Sequence, residues 1–173
     1  SSGSNKLSNT NNLRSRIIND LSLSSYDNYS DFGFRNNLSA YFKNLNTVGK
    51  NDEKYKSRPS TEVASIYEIS TSLPMQKSEH DIKEFLTPKL SFRINPGDMH
   101  NNSNNKRLIT TDNIFDINRI GATDAYEAGK SLTIGIDYKR EIKTDNSLTT
   151  DDINNFFEIK LASVFRDKAE NFI

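Results

Sequence analysis

The side chains with most chemistry to offer lie in one polar stretch, positions 107–130. Arg119 is followed by Asp124 and Glu127. A guanidinium presents a planar fork of donors, so a segment folded back on itself could bring both carboxylates onto it. Asp112 and Asn118 flank the arginine as further anchors. Gly121 and Gly129 permit positive φ or a close backbone approach where such a segment bends. The set reads as loop-ordering: Asp112, Asn118, Arg119, Asp124 and Glu127 form a structural clasp. Contact with a ligand or partner is the functional alternative, and solvated surface charge the plain one.

Other chemistry finds no support. His80 and His100 are the only histidines, and neither has a partner at metal-ligand spacing. Asp112, Asp116 and Asp124 lack the order of a calcium-binding loop. Gly129-Lys130-Ser131 resembles the end of a phosphate-binding loop, but Asp124 stands where its first glycine belongs. No Gly-x-Ser-x-Gly elbow is present, and with no cysteine there is neither thiol catalysis nor a disulfide. The reading is non-catalytic, with no metal and no cofactor.

The elements that must position this loop follow from pattern rather than richness. Hydrophobic residues make up only 34% of the 173-residue chain and charged residues 27%, yet the apolar ones alternate in register. Such alternation describes a sheet wet on one face. Net charge is zero, which leaves no electrostatic case for nucleic acid. No run of about 18 apolar residues offers a transmembrane helix. The start at Ser1-Ser2-Gly3-Ser4, without methionine or signal pattern, reads as a fragment.

Residues 1–12 read as a frayed edge or disordered segment. Thereafter about six strands are expected, over Leu13–Tyr26, Phe32–Lys43, Thr61–Ser72, Phe85–Ile94, Ser131–Tyr138 and Phe156–Phe165. Asn44–Pro59, Leu73–Asp81 and Lys143–Asn154 read as connections, the first and last of them long for periplasmic turns. Residues 95–130 form the longest loop. A helical reading of 86–94 fails, because Leu86, Leu90 and Phe92 cannot share a stripe with Ile94 without drawing in Lys89 and Arg93. On the strands Leu86, Leu90, Phe92, Ile94, Leu132, Ile134 and Ile136 share apolar faces. Lys89, Arg93, Asp137, Lys139, Glu158 and Lys160 share the opposite one and are expected to face a hydrated lumen, with Phe42, Phe92, Tyr138 and Phe165 as interfacial aromatics. The fold class is all-β, with antiparallel up-and-down strands forming a partial segment of a large transmembrane barrel over residues 13–173.

The order of motifs supplies a family. Leu86-Thr87-Pro88, Asn95-Pro96-Gly97-Asp98, Asp112-Asn113-Ile114-Phe115, Asn118-Arg119, then Gly121, Asp124, Glu127 and Gly129, and Leu132-Thr133-x-Gly135-Ile136-x-Tyr138 succeed one another. Over about Glu84 to Arg140 this resembles the lipopolysaccharide-assembly family LptD, the organic solvent tolerance proteins. The resemblance implies an outer-membrane location and a very large barrel. That barrel receives lipopolysaccharide from a periplasmic transport bridge, releases its lipid sideways between first and last strands, and holds an LptE-type lipoprotein partner inside. On that reading the chain contacts outer-membrane lipid and its long loop shapes the exit for the sugar portion. Six strands cannot close such a barrel alone. The alternatives are an unrelated porin or transporter barrel, and a soluble all-β binding or adhesion module.

Overall fold

β-Branched and aromatic residues at every second position commit the chain to strands, because each side chain then packs on a pleated, half-covered surface. A computed structural model describes residues 12–99, 107–143 and 153–168. Among these the fold is all-β and antiparallel. The strands are β1 (Leu13–Ser24), β2 (Asn28–Tyr29), β3 (Arg35–Lys50), β4 (Ser60–Ser72), β5 (Met75–Glu79), β6 (Ile82–Asn95), β7 (Gly129–Lys143) and β8 (Ile153–Arg166). They form one meandering sheet in the order β1-β3-β4-β6-β7-β8, with β2 paired to β3 and β5 to β6. The sheet is open: among the described residues β1 and β8 stand at its two ends and do not pair with each other.

Several strands exceed their expected bounds. Asn44–Lys50 belongs to β3, not to a connection, so only residues 51–59 link β3 to β4. The turn preference of Asn44 and Asn46 is overridden because the ladder continues beneath them: Leu45 points to the covered face at 1% exposure, and Thr61 Oγ1 donates to Asn46 Oδ1 at 2.8 Å. Phe32 and Phe34, in contrast, precede β3. They sit in a tight turn where Gly33 has φ 84° and Phe34 N donates to Ser30 Oγ at 3.1 Å. Leu73–Asp81 is no simple connection either, since β5 pairs with β6 from Met75↔Leu86 to Glu79↔Ile82. That leaves a two-residue turn, with His80 at φ 50°. The last connection shrinks as well, to residues 144–152, which lie outside the described residues along with residues 1–11 and His100.

Chain direction puts the turns at residues 30–34 and 80–81 at one end of the sheet and the connections 51–59 and 96–128 at the other. The long loop therefore shares its end with the second-longest described connection.

Burial is inverted relative to a water-soluble sheet. The apolar face is open, with Leu38 at 58%, Ile69 at 57% and Leu161 at 62% exposure. The polar face is the covered one, with Ser91, Arg93, Asn95, Ser131 and Thr133 buried. A small apolar core of Leu45, Ala64, Ile66, Met99, Ala125 and Tyr126 lies on this polar side, against Ile18, Tyr41 and Ile117. What covers it is the loop.

Candidate functional site: the loop on the polar face

The connection between β6 and β7 folds back across the polar face instead of standing away from the sheet. Its shape starts locally. Asn113 closes a turn by accepting from Thr110 N at 3.0 Å through Oδ1 and donating to Leu108 O at 2.9 Å through Nδ2. At Gly121, φ is 72°, and an added Cβ would lie 2.7 Å from Arg107 Cβ, so glycine is required there on two counts. Gly129, at φ 84°, returns the chain into β7.

Arg119 is the centre of the fold-back, at 1% exposure. Its Nε donates to Glu127 Oε2 at 2.6 Å and its Nη1 donates to Thr133 Oγ1 of β7 at 2.9 Å. Glu127 is shared, since its other oxygen accepts from Arg166 of β8 at 3.2 Å and its backbone carbonyl accepts from Asn95 Nδ2 of β6 at 2.9 Å. A void of about 10 Å³ bounded by Arg93, Asn95, Arg119, Glu127 and Ser131 has room for about one water molecule.

The expectation that Arg119 gathers both carboxylates is corrected for Asp124. That carboxylate, 1% exposed, accepts from Arg16 of β1 at 2.5 Å, from its neighbour Thr123 Oγ1 at 2.9 Å and from Tyr55 OH at 3.4 Å. The physical reason is placement: the guanidinium of Arg119 is turned to Glu127 and to Thr133 of β7, while Arg16 reaches Asp124 from the sheet edge. Asp112 is largely exposed and pairs with Lys160 of β8 at 2.9 Å. Asn118 contributes its backbone, accepting from Gly121 N at 3.1 Å, while its buried Oδ1 has no partner among the described residues.

The six charged residues assigned to one face do share it, but they divide by role. Arg93 is ion-paired to Glu68 of β4 and donates to the carbonyls of Phe115 and Asp116, the latter at 2.8 Å. Lys160 holds Asp112. Lys89 pairs with Asp137 and lies 5.8 Å from the centroid of the Phe115 ring. Lys139 and Glu158 do not reach the described loop; Lys139 pairs with Glu141 at 2.5 Å and Glu158 with Lys160 at 3.4 Å.

Sequence reasoning passed over Arg16, Tyr55, Asn95, Thr133 and Arg166 as loop-holding residues. Strand parity was the signal available for four of them, since each occupies the inward position of its strand. Tyr55 had none, because it stands in a connection. Lys43, on the polar face of β3, donates to Asp20 at 2.7 Å and to Thr123 O at 3.3 Å, and its ammonium lies 4.9 Å from the Tyr126 ring centroid. Burial pushes the Tyr126 hydroxyl above its ordinary pKa, with Asp20 and Tyr41 adding to the shift. In the neighbouring connection the Arg14 guanidinium, 2.5 Å away, holds the Asp52 carboxyl below its usual range, helped by the backbone N–H groups of Lys54 and Tyr55.

Phe115 seats the loop tip. It lies on Gly135 of β7, where an added Cβ would be 2.8 Å from its ring. All told, five of the six path strands (β1, β3, β6, β7 and β8) grip the loop through polar side chains. This arrangement positions a segment against a polar wall. Among the described residues no group of His, Cys, Asp and Glu could hold a metal.

Comparison with known proteins adds no relative: no family model, no curated protein and no solved structure matches the chain.

Proposed function

We propose that this chain is a segment of an outer-membrane transport barrel whose polar face lines the lumen and whose loop 96–128 narrows it. Its cargo on this reading is lipopolysaccharide, delivered across the periplasm by a transport bridge and passed to the outer leaflet with an LptE-type lipoprotein partner. The observation that carries the barrel is the inverted burial. Leu38, Ile69 and Leu161 face outward uncovered, whereas Arg119, Asp124 and Thr133 are buried within about 1% exposure. A soluble sheet puts its apolar face on a partner layer; a membrane barrel puts it in lipid and keeps the polar face wet. The motif order from Glu84 to Arg140 supports the cargo.

A second reading is a diffusion or uptake barrel of another kind. It is favoured by the way the loop is bound to the wall at several points, as suits a fixed pore constriction. Depleting the parent protein separates the two. Loss of lipopolysaccharide from the cell surface, with new sensitivity to hydrophobic antibiotics, is expected for the assembly role. Normal surface lipopolysaccharide with altered uptake of small solutes would favour the second. A chain that stays folded and monomeric in water without detergent would overturn both and leave the soluble binding module.

A further inference from the structure

The outward face carries more than an apolar patch: its polar borders run aslant to the strands. On β1, β3 and β4, toward the long-loop end, Asn19, Asn44, Asn46 and Thr61 form one hydrogen-bonded cluster; Asn19 donates to Asn44 at 3.4 Å, Asn46 also donates to Asn44, and Thr61 donates to Asn46 at 2.8 Å. On β7 the same border is Lys130. At the short-turn end the border on β3 and β4 is Asn36 and Thr71, paired with each other. On β6 and β7 it is Glu84 and Arg140, also directly paired. There Tyr138 OH donates to Glu84 at 2.9 Å and its ring meets that of Phe157 at 6.4 Å.

Register converts these borders into an angle. Asn36, Thr71, Leu90 and Ile134 lie on one straight cross-strand row. The row starts at the border on β3, but three strand steps on, at β7, it passes Ile134, six residues from the border residue Arg140. The other border behaves alike: the row through Lys130 runs by Ile94 and Tyr67 to Ala40, four residues short of Asn44. Both borders move toward the short-turn end by roughly 1.3 to 2 residues per strand. With a rise of ~3.3 Å per residue and a strand spacing of ~4.8 Å, that slope is about 40–55°. Along β6 the slab from Leu86 to Ile94 is about 26 Å long, or about 15–20 Å across at that slope, somewhat under the ~25 Å apolar band of outer-membrane barrels, whose strands tilt by ~35–45°.

We infer that the partner of this face is a lipid bilayer crossed by the strands at such a tilt. The Glu84–Tyr138–Arg140 trio stands at one headgroup level and the Asn19–Asn44–Asn46–Thr61 cluster with Lys130 at the other. The inference rests on the membrane reading above and adds to it the depth of each residue. It also accounts for the outward groove of about 590 Å³ lined by Leu23, Leu38, Ala40, Tyr67, Ile69 and Phe92: small Ala40 leaves a furrow inside the slab, suited to an acyl chain.

The chain contains no tryptophan, so single-tryptophan variants report without background. Asn36→Trp and Ile134→Trp, on one row, are placed in the full chain folded into phosphatidylcholine vesicles with bromines at graded acyl depths. Three strand steps at this tilt separate them by about 10 Å in depth. Ile134→Trp is expected to be quenched most by deep bromines and Asn36→Trp by shallow ones; Leu90→Trp, on the same row, takes the place of Ile134→Trp if that variant loses its strand circular dichroism. Equal depth profiles would overturn the tilt while leaving the membrane reading in place. No quenching at any position in variants that keep their strand circular dichroism in the vesicle sample would overturn the membrane reading itself.

Discussion

Arg16 on the edge strand β1 holds Asp124, a loop residue 108 positions later in the chain, at 2.5 Å. The carboxylate is 1% exposed while the guanidinium side chain is 42% exposed, so the loop supplies the buried partner and the sheet edge the wet one. Removing the carboxylate leaves an arginine that water can still solvate; removing the arginine strands a buried anion. Arg16→Ala is therefore expected to destabilise the loop more than Asp124→Asn, by about 3 against about 1 kcal/mol. Limited proteolysis within residues 107–128 reads the difference, and equal cleavage rates for the two variants would contradict it.

Arg119 spans Glu127 and Thr133 with two different nitrogens, which a lysine ammonium cannot reproduce as a fork. Arg119→Lys should therefore behave nearly like Arg119→Ala, each costing about 3 kcal/mol, because Glu127 keeps only Arg166 and a buried hydroxyl loses its donor. In the barrel proposed above, unchanged assembly and detergent resistance of Arg119→Ala would remove any importance from the clasp.

Gly135 makes the seat for Phe115, and a methyl group there meets the ring at 2.8 Å. Gly135→Ala is expected to cost about 1–3 kcal/mol by overpacking. Phe115→Ala should absorb most of that penalty, so the double variant falls well short of the sum of the singles. Denaturant midpoints of the four proteins form the test; strict additivity would mean that the ring does not sit on the glycine.

Leu90 and Lys89 are neighbours on β6 with opposite surroundings. Leu90→Arg puts a charge on the outward slab and is expected to cost about 2–4 kcal/mol in a bilayer, whereas Lys89→Gln alters a partly exposed pair with Asp137 and a contact with the Phe115 ring. Refolding yields into vesicles measure both. Better recovery of folded Leu90→Arg in plain buffer would instead indicate a soluble sheet.

Asp52 makes the 51–59 connection acid-sensitive. Its carboxyl is held below the ordinary value of 3.8, first by the hydrogen bond from Arg14. A carboxylate depressed on folding contributes its stabilisation in full above the unfolded value and loses it as pH falls through the folded one. The amides of Lys54 and Tyr55, which donate to Asp52 at 2.8 and 3.0 Å, should lose exchange protection only below about pH 4. Asp52→Asn should abolish that acid step; its persistence in the variant would assign the step elsewhere.

The strands and their two faces were legible in the sequence because parity is a local property. Leu90 and Lys89 fall on opposite sides of β6 whatever the rest of the chain does. Gly121 and Gly129 could likewise be assigned to bends, since a positive φ is a demand on one residue. The ends of strands were less legible. Asn44 and Asn46 look like turn formers, and only the continuing ladder to Ser60 and Thr61 keeps them in β3. Partners across the chain were not legible at all. Arg119, Asp124 and Glu127 are close in sequence, which favoured one shared clasp, but an ion pair is decided by which groups arrive together with their hydrogen bonds unsatisfied. The fold brings Arg16 to Asp124 and Thr133 to Arg119, and no spacing encodes either meeting. The sequence by itself thus determined an antiparallel sheet with one apolar and one charged face, because alternation needs no neighbours. Tertiary structure alone decided that the loop covers the charged face and leaves the apolar one bare, because that choice depends on where Arg93, Asn95, Arg166 and Lys160 stand when the strands are side by side.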